Sequence, residues 1–168
     1  MKKLIAGILA VAMVAAMSVT AFAADTEIEY TTPDKTGSTA VTYSVAPTFT
    51  VTIPADVKLN ESVDVTAENV RVNKGQAVYV ALTGINDGDS EFTVTTPETA
   101  DIIYTVTKGT SVTDVNLNDV ILMVTPAAGG ASGSVKLNFV APADDTIIYA
   151  GNYSGTVTFT VSVNPLAD

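Results

Sequence analysis

Residues 153–165 read YSGTVTFTVSVNP. Apolar side chains fall at Tyr153, Val157, Phe159, Val161 and Val163, every second position apart from Gly155. Ser154, Thr156, Thr158, Thr160 and Ser162 stand between them. Successive side chains of an extended strand point to opposite faces, so this spacing makes one apolar face and one hydroxyl face. The stretch reads as a half-buried β-strand with the apolar stripe turned to a core. Each such side chain contributes about 1.5–3 kcal/mol when fully buried. That is an upper bound, because the unfolded chain already hides part of this surface and ordering the strand costs entropy.

The same period runs through much of the chain. TEIEYTT (26–32) places Ile28 and Tyr30 on one face, TAVTYSV (39–45) Val41, Tyr43 and Val45, and TFTVTIP (48–54) Phe49, Val51 and Ile53. SVDVTAENVRV (62–72) reads as two short strands or one bent one. QAVYVALTG (76–84), SEFTVTT (90–96), DIIYTVT (101–107), DVILMVT (119–125), SVKLNFV (134–140) and DTIIYA (145–150) follow. Turn chemistry separates them: NKG at 73–75, NDGD at 86–89, KG at 108–109, AAGGASG at 127–133 and APADD at 141–145. The best helix candidate is SVTDVNLNDV (111–120), and its Val and Asn content argues against a helix. Short strands at regular spacing predict an all-β fold, an antiparallel two-sheet Ig-like or Greek-key β-sandwich.

Lys2 and Lys3, an apolar run from Leu4 to Val19, and Ala21-Phe22-Ala23 have the form of a secretory signal peptide, residues 1–23, cleaved after Ala23. The expectation is an exported chain whose residues 24–168 form a single domain, with 24–38 as an exchangeable N-terminal strand and linker. Eight basic residues stand against 18 acidic ones, a formal charge of −10, and loss of Lys2 and Lys3 makes it more negative still. Nucleic acid and anionic membrane surfaces both require clustered cations, so neither is expected as a partner. The chain has no Cys, which excludes disulfides and a lipid-modified Cys. Export without Cys suits a Gram-positive bacterium.

Catalytic motifs are scarce. With no His and no Cys, Ser-His-Asp, Cys-His and His-based zinc chemistry have no material. Asp87, Asp89, Glu91, Asp144 and Asp145 offer carboxylates only in turns, and no Trp is present to line a sugar cleft. No catalytic residue is assigned and the expectation is a protein that is not an enzyme. Calcium is the one candidate cofactor, with Asn86, Asp87, Asp89 and Glu91 supplying oxygens around Gly88. The same residues are also ordinary hairpin-turn chemistry. Lys136 and Asn138 alternate with Val135, Leu137 and Phe139, so an internal Lys–Asn isopeptide bond is not expected.

The hydroxyl face marks a candidate interaction surface: Thr156, Thr158, Thr160 and Ser162, together with Ile28 and Tyr30 of the N-terminal strand. Edge strands are usually guarded by Lys or Pro, and residues 156–162 have neither. Either this strand is central or another strand joins it.

AGNYSGTVTFTVSVNP (150–165) resembles the closing strand of Gram-positive WxL-type cell-surface domains, with Phe159-Thr160-Val161 in place of that family's aromatic-x-aliphatic motif. PTFTVTIPADVKL (47–59) is similar to an early strand of small exported proteins of that kind. The chain has no Trp to match the family's own. AGNYSG also resembles the approach to the last strand of secreted pilin-like and Ig-like sandwiches, where Tyr149 or Tyr153 would pin the corner through its hydroxyl. The resemblance implies a secreted or cell-wall-associated, non-catalytic structural or adhesion protein. Its partners would be other surface proteins, further copies of itself or cell-wall glycan. Apart from the resemblance, the N-terminal strand TEIEYTT either pairs within its own sandwich or adds to a neighbouring copy and builds a fibre. The alternative is a glycan-binding module, for which Tyr30, Tyr104 and Tyr149 are the candidate aromatics.

Overall fold

The computed structural model describes residues 9–12, 39, 41–85, 91–97, 101–110 and 113–166. The elements are β1 (Leu9–Ala12), β2 (Thr48–Ile53), β3 (Glu61–Arg71), β4 (Gln76–Ile85), β5 (Thr93–Thr95), β6 (Asp101–Ile103), β7 (Thr105–Lys108), β8 (Thr113–Asp114), β9 (Val120–Val124), β10 (Ala131–Val140) and β11 (Val157–Pro165). A 3-10 turn spans Asp144–Thr146. The fold is all-β, and its strand pairings are antiparallel. One sheet runs β1-β2-β3-β10-β7-β8, a second β11-β4-β9, and β5 and β6 form a small third.

Alternation explains the core. Val51 of β2, Val65, Ala67 and Val70 of β3, Val106 of β7, and Leu137 and Phe139 of β10 meet Val78, Val80 and Leu82 of β4 and Ile121, Leu122 and Val124 of β9. Segment 62–72 forms one bent strand. Asn69 takes φ +53°, a conformation that Asn tolerates better than most residues, and both of β3's pairings shift register there. The extra residue changes the inward phase from Val65 and Ala67 to Val70.

Several strand boundaries differ from the sequence reading. Segment 101–107 is two strands, because β6 pairs with β5 while β7 pairs with β10. Tyr104 marks the change: its N–H donates to the Phe92 carbonyl at 2.8 Å. Its ring lies 5.6 Å from Phe92 and 6.1 Å from Phe139. Ala131, Ser132 and Gly133 belong to β10 and not to the preceding turn. Gly133 lets β9 pass close, since a Cβ there would lie 2.7 Å from Val124 Cγ2. Residues 147–150 are not strand. The 3-10 turn before them is closed by Thr146, whose N–H and hydroxyl both donate to the Ala143 carbonyl, at 3.0 and 2.7 Å. Residues 41–45 also form no strand; they stand in solvent, with Val41 and Tyr43 each 92% exposed.

The TEIEYTT segment lies outside the described residues. β1 falls inside the segment read as a leader and pairs with the outer edge of β2, Leu9 opposite Ile53 and Val11 opposite Val51.

Candidate functional site

β11 is the end strand of its sheet. Phe159, Val161 and Val163 pair with Leu82, Val80 and Val78 of β4. The three β4 residues are fully buried, whereas Val157, Phe159, Val161 and Val163 are only half-buried. The stripe does face the core, as the alternation requires, but among the described residues β11 has a neighbour on one side alone. An apolar face of sheet is therefore left partly open along this edge.

The opening continues into a cavity of about 580 Å³. Val57, Leu59, Val63, Tyr104, Phe139 and Phe159 are among its lining residues. Burial pushes the Tyr104 phenol up to about 12, so it is neutral at any ordinary pH. Val57 and Leu59 lie beyond the end of β2, within the stretch 47–59. Their signal was available: they continue at even spacing beyond Ile53.

The hydroxyl face is engaged with its own sheet. Thr160 Oγ1 lies 2.6 Å from Thr83 Oγ1, and Asn164 Nδ2 donates to Ser162 Oγ at 2.9 Å. Thr158 packs over Gly84, where an added Cβ would lie 2.9 Å from Thr158 Cβ. Thr158 and Thr160 are exposed, Ser162 is half-buried, and Thr156 is exposed just ahead of the strand. Ile28 and Tyr30 lie outside the described residues.

The approach to β11 is pinned at two points. Ser154 and Thr95 exchange N–H···O=C bonds, both at 2.9 Å. The Tyr153 hydroxyl donates to the Tyr149 carbonyl at 2.7 Å. Tyr149 itself is 64% exposed, at the rim of a second cavity of about 460 Å³ shared with Asp101, Ile103 and Ile148. Tyr104, by contrast, is buried among aromatic neighbours and does not offer its ring to a glycan at the surface.

Of the candidate calcium ligands, Asn86, Asp87 and Asp89 lie outside the described residues, and Glu91 is exposed. Asp144 and Asp145 are exposed in the 3-10 turn. Among the described residues no group of three or more acidic, His or Cys side chains is arranged to hold a metal ion. Lys136 is exposed and pairs with Asp64 at 3.2 Å. Asn138 donates to Thr107 Oγ1 at 3.1 Å and to the Gly109 carbonyl at 3.2 Å. Neither arrangement is the buried Lys that an internal isopeptide bond needs. No protein-family model matches the chain and no curated protein matches it, so the role of this edge rests on its own residues.

Proposed function

We propose that the protein is a secreted, non-catalytic structural or adhesion protein of the cell surface or extracellular space, acting through protein–protein or cell-wall contacts and self-assembling by β-strand addition. In this reading the two packed sheets are an Ig-like, Greek-key sandwich, residues 1–23 are removed on export, and the WxL-like ending belongs to a Gram-positive surface protein. The observation that carries it is the half-buried apolar stripe of β11 at a sheet edge. Natural sheets guard such edges with Lys, Pro or a covering element, because an unpaired edge recruits other chains. No charged residue occurs between Thr146 and Ala167, so this edge has no charge to repel a partner. Tyr153 holding the Tyr149 carbonyl is the hydroxyl-to-backbone contact expected at the entry to such a strand.

Light scattering and electron microscopy of the leader-free protein, with and without residues 24–36, test this function. Mass that rises with concentration, or filaments, is the expected result, and a monomer at every concentration refutes self-assembly. A second reading, a glycan-binding module, draws support from Tyr149, an exposed ring beside Asp101 at a cavity rim. Saturable binding of wall polysaccharide by a monomer, lost in Tyr149→Ala, would favour that reading.

A further inference from the structure

We infer that residues 41–45 of one copy are the strand that docks on the open edge of β11 in a second copy. The inference rests on the self-assembly reading above and adds the donor and the acceptor.

The donor is an apolar arm that joins no sheet among the described residues. Val41, Tyr43 and Val45 alternate with Thr42 and Ser44 and so would share one face of a strand. Val41 and Tyr43 are each 92% exposed and Val45 54%, immediately ahead of β2. Three apolar residues at strand spacing, displayed in water, make a contiguous patch of the kind that marks an interaction surface.

The acceptor has the complementary defect. Its stripe of Val157, Phe159, Val161 and Val163 is half-covered, and a cavity of about 580 Å³ opens beside Phe159. A strand laid along β11 would supply backbone partners to the edge and set alternate apolar side chains over the stripe and cavity. Seven consecutive β11 residues, Phe159 to Pro165, pair with β4 without a register shift, so the edge offered is straight.

Charge selects the same two segments. In a chain of formal charge −10, most approaches between copies set acid against acid. Residues 36–55 and 146–167 contain no charged residue, and they hold the arm and β11 respectively. These are the longest charge-free runs outside the leader.

The occupant comes from a second copy because of what joins the arm to β2. Folding back onto its own β2 would require a tight hairpin through Ala46-Pro47. Such turns need positive φ at their central residues, and Pro is fixed near −65°. Pro47 also biases Ala46 to an extended conformation, which carries the arm away from its sheet.

The chain has no Cys, so single Cys substitutions report pairing cleanly. Full-length exported protein carrying Thr42→Cys would be mixed with protein carrying Cys at Thr158, Thr160 or Ser162 of β11, or at Thr50 or Thr52 of β2, and oxidised. Neighbouring strands bring Cα atoms within disulfide range. Heterodimers formed with β11 positions and not with β2 positions are the expected result. Heterodimers only with β2 positions would overturn the assignment of the acceptor while leaving self-assembly intact. A monomeric Thr42→Cys/Thr160→Cys chain with an internal disulfide would overturn docking between copies. No cross-link, with a mass that stays monomeric at every concentration, would overturn both this inference and self-assembly. Tyr43→Asp alters a side chain exposed in its own molecule, so it leaves the fold intact. It should weaken association by ~30-fold or more, the size of effect seen when a central aromatic is lost from an interface. Unchanged association would refute the arm's role.

Discussion

Gly133→Ala is a sensitive test of how the two sheets pack. Gly133 lies in β10, and a Cβ placed there would stand 2.7 Å from Val124 Cγ2 and 3.6 Å from Leu122 Cδ1. Real Cβ atoms do not approach a methyl that closely. Val124 is 6% exposed, and its branched side chain has few alternative rotamers, so the clash must be relieved by separating β9 from β10. Overpacking of this kind costs about 1–3 kcal/mol. Restricting the unfolded chain by replacing Gly with Ala offsets ~0.4–1 kcal/mol of it. The net expectation is a loss of about 1–2 kcal/mol, read as a lower urea midpoint at unchanged slope by far-UV circular dichroism. Val124→Ala removes the clashing methyl. Alone it should cost about 1.5–3 kcal/mol for the lost burial. In that background Gly133→Ala should become neutral or stabilising, a coupling of about 1–2 kcal/mol in a double-mutant cycle. Wild-type stability for Gly133→Ala, or strict additivity with Val124→Ala, would refute this account of the β9–β10 contact.

Other substitutions probe single contacts. Tyr153→Phe removes the hydroxyl that donates to the Tyr149 carbonyl and should cost about 0.5–1.5 kcal/mol, with faster amide exchange or proteolysis near residues 147–152. Tyr104→Phe should alter alkaline unfolding in a defined window. Burial raises the Tyr104 pKa from 10.0 to about 12, so its contribution is complete below pH 10 and is lost as pH rises toward 12. The stability difference between wild type and Tyr104→Phe should be flat below pH 10 and then fall by about 1.4 kcal/mol per unit; parallel profiles would contradict it. Lys136→Met breaks an ion pair whose side chains are 49% and 56% exposed, and should shift stability by less than about 1 kcal/mol. A larger loss in Lys136→Met would mean that the pair supports β3 and β10 in some further way.

What was legible in the sequence was competence to form a strand, and what was not was the identity of the partner. β2, β4 and β11 are readable because each alternates and each finds a neighbour, and β9 because it is a short, wholly apolar run that finds one. Segment 101–107 alternates just as well, yet Tyr104 divides it, because its two halves meet β5 and β10, and no local pattern encodes that exchange. TAVTYSV has the same pattern as TFTVTIP, but residues 41–45 of the first join no sheet among the described residues. Gly133 was misread for the opposite reason: its composition belongs to turns, whereas its role is to remove a Cβ from a crowded crossing. The half-covered state of the β11 stripe was not readable, since alternation says which face turns inward and not whether anything lies beyond the edge.

The order in which the strands meet has a consequence for how the molecule is made. β10 lies between β3 and β7, and its Asn138 bonds a Ser62 that lies 76 positions earlier; β11 meets β4 across 77 positions at Thr160 and Thr83. Neither principal sheet can close until the last third of the polypeptide has been synthesised. Such distant pairings assemble slowly, because a long loop must be closed before the contacts can compensate for it. A ribosome-bound chain would thus remain open for most of its length, and its compact form would arise only once the last strands had emerged.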